Sequence, residues 1–136
     1  MILVLLLLPV KVFAQKANAI VGKWINTSGE GQIAIFKIGE KYFGKLVWLK
    51  KPDDASGKPQ TDKMNIRPGL RERPVLGLEI LKDFSYVDGV YDEGTVYDPR
   101  SGKIYTCKMQ VKGDVLNVKA YVGMFLGKSE VWKRVK

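Results

Sequence analysis

Gly22-Lys23-Trp24 near the start and Trp132-Lys133-Arg134 at the end enclose nothing but β-type sequence. Eight segments, at 20–26, 31–38, 41–50, 74–84, 90–97, 103–112, 115–122 and 128–135, are rich in Val, Ile, Tyr, Phe or Trp. Gly, Asp, Asn, Ser or Pro separates each from the next. Gly39-Glu40, Asp98-Pro99-Arg100-Ser101-Gly102 and Gly113-Asp114 supply the residues that tight antiparallel links demand. No stretch repeats apolar residues at i, i+3, i+4, i+7 over three turns, which disfavours a helical domain or a βαβ sheet. The two brackets therefore predict first and last strands that meet. The expected fold is all-β: a single antiparallel up-and-down barrel of about eight strands, with one long loop.

Outside the brackets, residues 1–14 carry the apolar run Ile2 to Leu8 and end in Val12-Phe13-Ala14 before Gln15. Small residues at the last and third-last places, after an apolar run too short to span a bilayer, predict a signal peptide cleaved after Ala14. No Lys or Arg precedes the run and Lys11 follows it, as if the true start lay upstream. A retained anchor is the rival reading, but a span wants roughly 18 or more apolar residues. Residues 15–136 then form one domain, expected in the periplasm or outside the cell.

The formal net charge is +9. In an exported protein this favours anionic partners, such as lipid headgroups or an envelope protein, and removes the opportunity for nucleic acid. The charge is spread along the whole chain, so a solvated surface also accounts for it. Cys107 is the single cysteine and no histidine is present. Histidine-based hydrolysis and the common zinc sites are thereby excluded, and Cys107 reads as a buried, inert thiol. Neither metal nor cofactor is expected. Gly29-Glu30-Gly31 lacks the Lys and the helix of a phosphate loop and reads as a turn.

Alternation indicates what the strands bury. Leu116, Val118, Ala120 and Val122 share one face, as do Tyr42, Gly44, Leu46 and Trp48. An eight-stranded closure leaves an interior that side chains fill, or that holds one small ligand. The interval 51–73 has three prolines among polar residues and hardly any apolar anchor. Its length makes it a candidate lid, with a solvated insertion as the alternative. Gly123-Met124-Phe125-Leu126-Gly127 suits a portal or a membrane-touching tip, or tucks under the barrel end.

Glu79, a carboxylate within an apolar run, is the best single candidate for carboxylate chemistry, with a structural ion pair or exposure as the plainer explanation. Arg67, Arg71 and Arg73 offer guanidinium forks for an anion unless Glu72 and solvent satisfy them. No catalytic constellation emerges, and a non-enzymatic protein is expected. The candidate ligand contacts are Tyr42, Trp48, Arg71, Arg73, Glu79, Tyr105 and Phe125. Trp24, Trp132 and Arg134 are the candidates for barrel closure.

Thr61-Asp62, the run Arg71 to Leu81, the hairpin Gly94 to Cys107 and the stretch Leu116 to Val135 resemble the domain of unknown function 2147 family of small exported bacterial proteins. Ala120 stands where that family carries Gly, and Lys128 where it carries Arg or Thr. The resemblance implies compartment and fold, not an activity. More distantly, Gly-x-Trp at the start and a basic residue on the last strand resemble lipocalins and fatty-acid-binding proteins. That likeness implies that Arg134, or Lys133 in another register, packs across the Trp24 ring, and that the interior takes a small apolar or amphipathic molecule.

Overall fold

The computed structural model describes residues 16–136, so the expected leader lies outside the described residues. The strands are β1 (Gly22–Ile25), β2 (Gly31–Ile38), β3 (Lys41–Leu49), β4 (Glu79–Val87), β5 (Val90–Asp98), β6 (Lys103–Lys112), β7 (Val115–Val122) and β8 (Phe125–Arg134). Each pairs antiparallel with the next, and Trp24↔Arg134 with Ile25↔Lys133 joins β8 to β1. The result is a closed, eight-stranded, up-and-down barrel.

Up-and-down order sorts the connections by end. The links 39–40, 88–89 and 113–114 lie at one end with a short 3-10 turn, Asn18–Ile20; 26–30, 50–78, 99–102 and 123–124 lie at the other. Lys45, Lys82, Lys108, Lys119 and Lys133 stand exposed on the outer wall, which therefore faces water rather than hydrocarbon.

The first end is plugged. Arg134 lies over Trp24, its guanidinium carbon 4.2 Å from the ring centroid, a contact worth about 0.5–2 kcal/mol. The Trp24 indole N–H donates to the Ile20 carbonyl at 2.8 Å, and Arg134 Nη2 donates to the Ala19 carbonyl at 2.7 Å. Gly22 has φ +138°, and a Cβ there would meet Arg134 Nη1 at 3.3 Å, so the Gly-x-Trp motif is a backbone requirement as much as a packing one.

Next to the plug the lumen is solid. Trp24, Tyr42, Leu81, Phe84, Tyr91, Met109 and Leu116 are all but fully buried. Asp83 and Glu93 adopt φ of 63° and 66°, where β4 and β5 bulge, and these bulges bring Phe84 and Gly94 inward together. A Cβ on Gly94 would sit 2.4 Å from the Phe84 ring. The glycine lets the ring lie flat across the barrel.

Three strand starts differ from the sequence reading, and β4 runs on to Val87 rather than 84. β1 starts at Gly22 because Asn18–Ile20 closes a 3-10 turn in front of it. β4 starts at Glu79 rather than 74, because Gly77 (φ +89°) turns the chain while Leu46 bonds to both Gly77 and Leu78. β8 starts at Phe125 rather than 128, because Gly123 (φ +61°) makes a two-residue hairpin with Val122 opposite Phe125. The apolar stretch at 123–127 is thus neither a slack connection nor tucked away.

Candidate functional site

The other half of the barrel is hollow. A cavity of about 450 Å³ opens at the end that carries the long loop. Ile33, Leu46, Ile80, Val96, Val118 and Trp132 give it an apolar wall; Lys51, Lys63, Arg100 and Lys128 stand around it with Glu30, Asp98 and Glu130, and of these only Arg100 and Asp98 form an ion pair among the described residues. The Asp98 hydrogen bond, at 3.2 Å, raises the Arg100 pKa above its ordinary value against the pull of burial, and the charges of Asp98, Glu130 and Glu30 add to it. Trp132 lines this cavity, but its indole nitrogen is shielded from it, and no acceptor among the described residues reaches that N–H.

Of the seven proposed ligand contacts, Tyr105 alone lines this cavity. Tyr42 does point inward, but into the solid half, where its hydroxyl donates to Asn18 Oδ1 at 3.1 Å. Trp48 is turned out by a bulge: Ile33 pairs with Leu46 while Gln32 pairs with Trp48, so one extra residue, Val47, reverses the alternation. Glu79 is half-buried, opposite Lys45 on the outer wall, and alternates with the inward Ile80. Phe125 is exposed on the β7–β8 hairpin.

Arg71 and Arg73 serve the loop itself. Arg73 Nε binds Asp62 Oδ2 at 2.8 Å, and Arg71 Nε donates to the Asn65 carbonyl at 2.7 Å. Asp62 is wholly buried and also accepts from the Tyr97 hydroxyl at 2.5 Å and from Asn65 Nδ2 at 2.9 Å. Burial alone would raise the Asp62 pKa; the hydrogen bonds from Tyr97, Asn65 and Arg73, with the Arg73 charge, bring it below the usual value. Burial and the same carboxylate push the Tyr97 phenol up to about 12. Opposite this knot, Gly102 (φ +73°) lies so close to the Met64 carbonyl that no Cβ would fit. The interval 51–73 is accordingly a lid bonded to the open end through buried Asp62 and Asn65, while most of its other residues stay exposed to solvent.

Cys107 belongs to the solid half. Burial pushes its thiol up to about 12, with the charges of Glu130 and Asp92 adding to it. The proposed contacts left out most of the wall, including Ile33, Ile80 and Val96, and on β7 and β8 Val118, Ala120, Lys128 and Glu130, which all line the cavity. β7 showed its apolar face by alternation. On β8 the inward positions read Lys128, Glu130, Trp132, which looks like a wet face followed by a closing residue.

This arrangement defines a class: a lipocalin-like barrel, closed at one end and hollow at the other. A Helicobacter pylori protein, HP1028, whose title says that it belongs to the lipocalin family, superimposes with a TM-score of 0.71 over 86% of this chain and 83% of its own, at 21% identity. The chain belongs to the family described as an uncharacterized protein conserved in bacteria (DUF2147), which it matches over residues 22–134. No curated protein matches it.

Proposed function

We propose that this is an exported, non-enzymatic protein of the bacterial cell envelope that carries one small apolar or amphipathic molecule in the open half of its barrel. The observation that carries the reading is the cavity of about 450 Å³, walled by apolar side chains and ringed by charged ones. That size falls within the roughly 300–1,000 Å³ of small-molecule pockets. The wall suits an aliphatic or aromatic body, and the lysines suit an anionic or polar head near the mouth. The apolar leader at residues 1–14 supports export.

Two rivals lose support from the geometry. A barrel filled throughout, acting only through its surface on anionic lipid or an envelope protein, does not match the hollow half. A carboxylate hydrolase built on Glu79 does not match its place outside the lumen. Native mass spectrometry of the protein purified from its own host tests the main reading. A population heavier than the bare chain by one small molecule is expected, and bare mass alone across several preparations would overturn it.

A further inference from the structure

The open end carries an apolar collar beside the cavity mouth. Met64, Ile66, Ile104, Met124, Phe125 and Leu126 are 50%, 81%, 68%, 94%, 81% and 55% exposed. They come from three segments that the fold brings together. Gly102 lies against the Met64 carbonyl, which sets residues 64–66 beside the β5–β6 turn. Ile104 follows that turn, and because Thr106 pairs with Tyr121, Ile104 lies level with the β7–β8 hairpin that presents Met124 and Phe125.

Charge within the same segments has one sign. Across 63–67, 100–104 and 122–128 the ionisable residues are Lys63, Arg67, Arg100, Lys103 and Lys128, with no Asp or Glu, while Glu30, Asp98 and Glu130 lie around the cavity beside them. Arg100 is paired with Asp98; the other four form no ion pair among the described residues. Exposed apolar side chains on a narrow hairpin tip, fenced by unpaired cations, have the composition that enters the headgroup boundary of an anionic bilayer.

We infer that the protein docks end-on to anionic membrane through this collar, with Met124 and Phe125 entering the interface and the cavity mouth turned toward the lipid. The docking surface stands on exposure and charge. Only its purpose, passage of a guest between bilayer and barrel, rests on the ligand reading above.

The test uses the full chain and vesicles of phosphatidylcholine alone or mixed in equal parts with phosphatidylglycerol. Co-sedimentation should favour the anionic vesicles at least about tenfold at low salt, and the double variant Met124→Ser, Phe125→Ser should lose at least about tenfold in partitioning. Brominated lipid should quench a tryptophan introduced by Phe125→Trp but not one introduced at the closed end by Ile38→Trp. The inference is overturned by any of three results: no partitioning, partitioning unchanged in the serine variant, or equal quenching at the two ends. It is also overturned if sedimentation equilibrium shows the collar joining two copies of the chain, with the serine variant monomeric. Vesicle binding by a protein whose cavity is empty in native mass spectrometry would support docking and remove the ligand reading alone.

Discussion

Gly94 and Gly44 both face the solid half of the lumen, and they differ in what stands above them. A Cβ on Gly94 would meet three carbons of the Phe84 ring at 2.4–2.5 Å, whereas one on Gly44 would meet the far end of a flexible side chain, Leu81 Cδ1, at 2.7 Å and the less yielding Leu81 Cβ and Ile33 Cγ2 only at 3.1 Å. A ring wedged across a barrel has nowhere to turn, while a leucine tip has other rotamers. Gly94→Ala is expected to cost about 1–3 kcal/mol by overpacking, only partly offset by the ~0.4–1 kcal/mol gained from a stiffer unfolded chain. Gly44→Ala should cost clearly less. Urea unfolding of the two variants checks the order, and equal or negligible losses would show that this half is not close-packed. Neither glycine's role was legible in the sequence, because a glycine inside a strand announces a close approach without saying to what.

The lid is held by one carboxylate, and its dependence on pH follows. The folded-state pKa of Asp62 is depressed below the unfolded value of about 3.9, so its stabilisation is fully present above that value and is lost as pH falls through the folded one. Asp62→Asn should therefore cost about 1–3 kcal/mol at neutral pH, and its stability should vary less than wild type between about pH 5 and pH 2. Urea unfolding at the two ends of that range measures both effects, and limited proteolysis should open the 51–73 segment in the variant. An unchanged acid limb would mean that the Asp62 contacts do not hold the lid. Composition alone hid this element. Three prolines and scattered polar residues look solvated, and nothing local says that Asp62 will meet Arg73, eleven residues on, beneath Tyr97. The strands were more legible, since alternation and turn residues act over short range. Where alternation misled, at Trp48, a bulge was responsible: the extra residue at Val47 turned Trp48 outward.

At the scale of the molecule, the barrel divides its work between its ends. Beside the plug of Trp24 and Arg134, aromatic rings fill the lumen; beneath the Asp62 lid it stays hollow, and the same eight strands serve both. Of the brackets that identify closure, Gly22, Trp24 and Arg134 build the plug and Trp132 reaches the cavity, the rest of whose wall depends on which residues of the other strands turn inward. Added volume should consequently have opposite effects in the two halves. Ala120 lines the cavity, paired with Cys107 on one side and Lys128 on the other. Ala120→Leu adds apolar volume to open space, so its stability should stay within about 1 kcal/mol of wild type or rise. The single methyl of Gly94→Ala, placed in filled space, should lower it. If the cavity holds the guest, Ala120→Leu purified from the same host should also lose much of the heavier species in native mass spectrometry, while Gly94→Ala keeps it in the molecules that remain folded. Urea unfolding and native mass spectrometry on this pair separate the two ends. A Ala120→Leu protein that is strongly destabilised would show that the upper lumen is filled after all.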